Sequence, residues 1–209
     1  LAGWIVLSMI GSAIAWRPHI VITGPKGCGK STIVDEIIKA ALGDIAINGD
    51  GGTTEAGARR LLGLSGRPFI MDEAESENKQ TKAEMEKIFF LARRSSKGGK
   101  VSNAYSDFII RSCFCFAAIN PRIEHGADMD RITTLELSLD KSDKRKENYS
   151  ILVKAIRDCM IDNFSQRLMA RTVENIENLF HNIKVFTDAA SDVFGNQRDG
   201  DQFGAFIAG

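Results

Sequence analysis

Gly24-Pro25-Lys26-Gly27-Cys28-Gly29-Lys30-Ser31 fits the pattern G-x-x-x-x-G-K-[S/T], and its flanks decide what the pattern means. Before it stands an apolar, β-branched run, His19-Ile20-Val21-Ile22-Thr23; after it a helical pattern opens with Thr32-Ile33-Val34-Asp35-Glu36-Ile37-Ile38. Strand, glycine-rich loop and helix in this order make an anion cradle, because the loop's N–H groups and the helix N-terminus both point at bound phosphates. The expected nucleotide-binding set is Gly24, Pro25, Lys26, Gly27, Cys28, Gly29, Lys30, Ser31 and Thr32. Within it Lys30 would neutralise the β- and γ-phosphates, and the Ser31 hydroxyl would sit on Mg²⁺. An ordinary glycine-rich turn is the bland alternative, and both flanks argue against it.

Working outward, the 209 residues suffice for one α/β domain of ordinary size with a small appendage. Twenty-seven basic and 27 acidic residues cancel, so no global field advertises a nucleic-acid partner and any basic footprint must be local. The four cysteines (Cys28, Cys113, Cys115, Cys159) show no C-x-x-C spacing and the three histidines are scattered. That argues against a cysteine–histidine metal site and suits reduced thiols in a cytosolic protein. Leu1 to Trp16 is almost wholly apolar, but it is shorter than the roughly 18 residues of a membrane span and lacks a basic start. It reads as a buried helix in which Gly3, Gly11 and Ser12 fit close packing. A start at Leu1 without a methionine reads as a fragment of a longer polypeptide with further domains.

The phosphate-loop helix is expected to reach about Ala41. Ile45-Ala46-Ile47 is a strand candidate, Thr53 or Thr54 can cap a helix through Leu62, and Arg67 to Glu73 reads as a second core strand. A helix follows in which Met85, Ile88, Phe89 and Ala92 repeat at helical spacing, and Ser95 to Lys100 reads as a flexible basic loop. Phe108 to Ile110, Cys113 to Ile119 and Thr133 to Leu139 are β-prone, and Asp140 to Glu147 is a charged hinge. Helical patterns fill the rest, with Gln197 to Gln202 loop-like. Strands alternating with helices predict a parallel sheet flanked by helices over residues 1–141, and a small helical, lid-like subdomain over 142–209.

Four positions would carry chemistry with the loop. Asp72 ends a buried strand beside it and would hold Mg²⁺ together with Ser31. Glu73, one residue on, would polarise the attacking water, which makes the chain a hydrolase of the β–γ bond. Asn120, ending the Cys113 strand, could hydrogen-bond the γ-phosphate, although an Asn-Pro turn explains it equally. Arg131, just before the last strand, could reach a neighbouring subunit's γ-phosphate; Arg122 is the runner-up, and a surface pair with Asp128 or Asp130 the bland reading.

Phosphate loop, Asp-Glu strand, polar strand end and arginine, in this order, resemble the AAA+ ATPases. The 42 positions between Lys30 and Asp72 are similar to those of the compact superfamily 3 viral helicases. More narrowly the chain looks like the ATPase domain of phage and prophage primase–helicases, on Trp16-Arg17-Pro18-His19, Thr53-Thr54-Glu55-Ala56-Gly57, Asp72-Glu73-Ala74-Glu75, Ile110-Arg111-Ser112-Cys113-Phe114 and Asp201-Gln202-Phe203-Gly204. That resemblance implies an ATP- and Mg²⁺-dependent P-loop NTPase fold, and a ring, most simply a hexamer, with ATP between subunits. It also implies other replication domains on the same longer chain, and a bacterial cytoplasmic setting without membrane. It places a single-stranded DNA contact between the acidic strand and the Asn120 strand, where Arg93, Arg94, Lys97 and Lys100 lie with no aromatic until Tyr105. A lid would offer the phosphates an arginine, for which Arg167 and Arg171 are the candidates. The rivals are an AAA+ remodeller or loader acting on a protein partner, and a monomeric phosphate-loop nucleotide kinase. Polarity of unwinding, subunit number and DNA against RNA stay open.

Overall fold

The computed structural model describes residues 1–72, 74, 79–102, 107–119 and 131–209. Five parallel strands form the central sheet in the order β2-β3-β6-β1-β7: β1 (His19–Thr23), β2 (Ile47–Gly49), β3 (Phe69–Met71), β6 (Phe114–Ala118) and β7 (Ile132–Glu136). Two further strands, β4 (Lys100–Ser102) and β5 (Asp107–Ile109), form a separate antiparallel hairpin.

Both faces of the sheet are covered, which is why its central strands read as continuous apolar runs. Val21, Phe69, Met71, Phe114 and Phe116 point to one face, under helices α3 (Glu55–Leu62) and α4 (Lys79–Ser95), which contribute Leu62, Ile88 and Phe89. Ile20, Ile22, Ile70, Cys113 and Cys115 point to the other. There they meet Trp4 of α1 (Ala2–Met9) together with Val34 and Ile38 of the phosphate-loop helix. That helix is π-wound over Thr32–Lys39 and continues as α2 (Ala40–Leu42). Thr54 caps α3 by accepting the Gly57 N–H at 3.1 Å, one of the two threonines expected there.

After β7 come α5 (Arg145–Cys159), α6 (Phe164–Glu174) and α7 (Ile176–Phe194). The helical region shares a core with α1, through Leu7, Ile10, Ile14, Trp16, Leu179 and Ala205. Residues 197–202, expected as loop, are helical: Gln197–Asp199 is α-helix, Gly200–Gly204 a π-turn and Ala205–Ala208 α-helix again. The reason is contact. A Cβ on Gly204 would stand 2.5 Å from the Thr187 backbone, and one on Gly200 would strike the Ser191 hydroxyl, so these glycines let two helices touch. Gly3 does the same against the Phe206 carbonyl, as its place in the apolar first helix suggested.

Gln202, 3 % exposed, ties this last segment to the sheet. Its Oε1 accepts Trp16 Nε1–H at 3.0 Å, and its Nε2 donates to Thr133 Oγ1 at 2.7 Å and to the His19 carbonyl at 3.4 Å. No described helix is long and apolar enough to cross a membrane.

Candidate functional site

At the C-terminal end of β1 the chain turns through Gly24 (φ +152°), Gly27 (φ +80°) and Gly29 (φ +96°), conformations that L side chains rarely adopt. A Cβ on Gly24 would collide with the Leu137 carbonyl and stand 2.8 Å from Cys28 Sγ, whereas one on Gly29 would meet nothing. Gly24 is therefore required by contact as well as by φ, and Gly29 by φ. Lys30 folds over the loop, donating from Nζ to the Gly24 carbonyl at 2.6 Å and to the Pro25 carbonyl at 3.3 Å.

A second cation reaches the loop from an unexpected place. Arg145, the first residue of α5, donates from Nη2 to the Gly27 carbonyl at 3.0 Å. Asp140 sets up that approach by accepting the Ser142 N–H at 2.8 Å and Asn148 Nδ2–H at 2.9 Å. Those bonds, from Ser142 and then Asn148, hold its carboxyl at about 2. Asp140-Lys141-Ser142 is an Asx turn, and it is the sequence signal that could have found Arg145. Arg167 and Arg171, the lid candidates, lie on α6 instead. That helix packs on α1 and α2, with Ser165 against Gly43 at the far end of the phosphate-loop helix. The structure brings Arg145 to the loop and not these two.

Asp72 follows β3, half-buried, its N–H donating to the Gly49 carbonyl at 3.3 Å. Thr23 is in register with Ala118, and Met71 with Phe116, so β1 ends level with β6 and β3 two residues before it, which puts Asp72 beside the last residues of β6. The loop and Asp72 therefore flank the end of β6, two strand spacings or about 10 Å apart. Thr23 Oγ1 donates to the Ile119 carbonyl at 3.0 Å, fastening the end of β1 to that of β6. Burial, and then the Asp72 charge, raise the Cys115 thiol well above its ordinary range. Glu73, Asn120, Arg122 and Tyr105 lie outside the described residues.

The arrangement fits a nucleoside triphosphate with Mg²⁺. A backbone turned at three glycines of positive φ leaves room for phosphate, two cations are delivered to the loop, and Ser31 is exposed beside them. Ser31 and Asp72 are the side chains that could share a magnesium ion with phosphate oxygens.

Arg131 sits at the other end of the sheet. It immediately precedes β7, whose first residue Ile132 is in register with His19, so the length of β1, about 17 Å, separates it from its own loop.

The basic cluster lies at that same far end. Arg93 and Arg94 close α4, their guanidiniums 5.0 and 5.4 Å from the ring centre of Phe90, which is exposed. This corrects the expectation that no aromatic stands among the basic residues. Phe90 precedes them by three and four positions, one helical turn, so the helix interleaves what the linear order separates. Lys97 Nζ lies 5.6 Å from the Trp16 ring centre.

The expected flexible loop over Ser95–Lys100 is a fixed turn ending in a strand. Gly98 N–H donates to the Ser95 carbonyl, Gly99 N–H to that of Arg94 and Arg17 N–H to that of Ser96, at 2.8–2.9 Å. Lys100 opens β4, whose three residues pair with β5. Beneath this turn His19 is fully buried, its Nε2 3.1 Å from Ser96 Oγ while Nδ1 accepts the Phe114 N–H at 3.1 Å. An accepting Nδ1 carries no proton, so His19 is neutral, and burial pushes its pKa down to about 3.

No protein family matches the chain by sequence, and no curated protein does. Among solved structures, the active helicase Cch of SCCmec type IV aligns over 99 % of this chain at 12 % identity, with a TM-score of 0.58. The chain spans 42 % of that helicase's length. The JCV helicase, free and inhibitor-bound, aligns over 94 % of the chain at 10 % and 12 % identity, with TM-scores of 0.43 and 0.45 that carry no weight. At such identities the likeness concerns the fold, an α/β phosphate-loop NTPase sheet flanked by helices.

Proposed function

We propose that the chain is the ATP-hydrolysing motor domain of a ring-shaped helicase that tracks single-stranded DNA during phage-type replication in a bacterial cytoplasm. The observation that carries this reading is the strand order: β6 lies between the phosphate-loop strand and the Asp72 strand, so the three strand ends converge on one site. In it Lys30 and Arg145 neutralise phosphate charge, Ser31 and Asp72 hold Mg²⁺, Glu73 orients water and Asn120 contacts the γ-phosphate. The metal ion, when bound, spreads the charge that develops on the phosphate oxygens.

The place of Arg131, a strand's length from its own loop, favours a role on the loop of a neighbouring copy, hence a ring, most simply a hexamer. Arg93, Arg94, Lys97, Lys100 and the exposed Phe90 supply a sequence-tolerant nucleic-acid surface of backbone charge and one stacking ring. The likeness in fold to the Cch helicase agrees with this assignment.

Phosphate release with and without oligo-dT tests the reading. Turnover should rise with oligo-dT, and Glu73→Gln should bind ATP while turnover collapses. Normal turnover in Glu73→Gln would remove the assigned water activation. Turnover indifferent to oligo-dT would leave an ATPase with a different partner.

A further inference from the structure

Arg17 and Arg111 entered none of the roles above. Arg17 stands two residues before β1 and Arg111 three before β6, so both belong to the end of the sheet away from the nucleotide. Arg17 is 4 % exposed. Its Nη1 donates to the carbonyls of Ala15, Ser95 and Ser96 at 3.3–3.4 Å, and its Nε has no partner among the described residues. Burial lowers its pKa, and the positive charge of Arg111 pushes the same way.

Gly98 (φ +68°) lies between the two arginines. A Cβ there would stand 3.5 Å from Arg17 Nη1 and 3.8 Å from Arg111 Nε, so the glycine leaves open a notch between them that a side chain would fill. Lys97, exposed, is the next residue, held over Trp16. Among the described residues no carboxylate lies within ion-pair distance of Arg17, Lys97 or Arg111. A buried arginine without an acid, beside a second arginine and a lysine, costs the fold unless an anion completes it.

We infer that Arg17, Lys97 and Arg111 form a seat for a backbone phosphate of single-stranded nucleic acid at the root of the β4–β5 hairpin. This rests on the nucleic-acid motor reading and adds the two arginines to its contact surface. The seat reads charge and not sequence, since no helix or strand there enters a groove. It also lies beside Ser96, whose Oγ is 3.1 Å from Nε2 of His19, the first residue of β1.

The test uses fluorescence anisotropy of labelled oligo-dT and oligo-U across a salt series. Arg111 is exposed, which makes it the safer substitution, and a thermal melt checks that each variant folds. Arg111→Ala should weaken binding about fivefold at 0.1 M salt and shorten the slope of log K against log salt by about 0.7, one phosphate's share. Arg111→Lys should restore the slope, and the loss should be equal on both oligonucleotides.

If the native chain binds both oligonucleotides and Arg111→Ala keeps its affinity and slope, the seat is refuted while the motor reading stands. A loss confined to one oligonucleotide refutes a phosphate seat as well. If the native chain binds neither, the motor reading itself falls.

Discussion

At its C-terminal end β1 runs into three glycines of positive φ and two cations laid on loop carbonyls; at its N-terminal end, five residues away, it starts at a histidine with no exposure at all. The upper end exposes polar groups whose partners are the loop's own carbonyls, so a phosphate can replace them at little cost. At the lower end the bonds of His19 to Ser96 Oγ and to the Phe114 N–H join buried neutral groups, and each is hard to exchange because the alternative is an unpaired group in the interior. One strand thus joins a replaceable site to a fixed foundation.

The largest expected effect tests the foundation. His19 titrates near 6.5 when unfolded and at about 3 in the fold. A depressed histidine gives stability that is complete above pH 6.5 and is lost as pH falls toward 3, at about 1.4 kcal/mol per unit and about 5 kcal/mol in all. Denaturant midpoints across that window should show the loss, and His19→Gln should flatten it. A native imidazole titrating near 6.5 by NMR would break the contrast between the two ends.

Next in size, Lys30→Ala should cost about 10²–10³-fold in phosphate release, the loss typical of one positioned charge-stabilising donor. Its melting temperature should hold, because Lys30 bonds two carbonyls that water can also serve. A large fall in melting temperature would mean that the upper end is structural after all. Smaller still, Arg145→Ala should weaken a fluorescent ATP analogue about tenfold, near 1.4 kcal/mol. Arg167→Ala should leave that binding unchanged, and equal losses would return the lid role to α6.

Much of this was legible in the chain. β1, β3 and β6 are covered on both faces, so each stands out as an apolar run, and Gly24 to Ser31 needed only the strand and helix beside it. Thr54 announced its helix by being a capping residue ahead of Ala58 and Leu62. What stayed hidden depends on residues far apart in sequence.

Of the β4–β5 hairpin, β5 overlaps the β-prone Phe108 to Ile110, whereas β4 has three residues, too short for alternation to show, and exists through pairing. Gly200 lies in the stretch expected as loop, yet it is helical where Ser191 and Thr187 pack against it. Phe90 joined the arginines only once α4 was wound. Arg17 and Arg111 are 94 positions apart, from 17 to 111, and no local pattern relates them.

Gln202 also bears on how the molecule comes to be folded. Trp16 Nε1 and Thr133 Oγ1 both depend on this one amide, and the first pairing spans 186 residues. While a ribosome is still making the chain, the sheet can collapse once β7 has emerged, but Trp16 Nε1–H lacks its acceptor and Thr133 Oγ1 its donor until residue 202 follows. Closure of so long a loop is slow, which makes this step late and non-local. Until then the nascent domain holds its phosphate loop on a strand whose lower end is not yet locked.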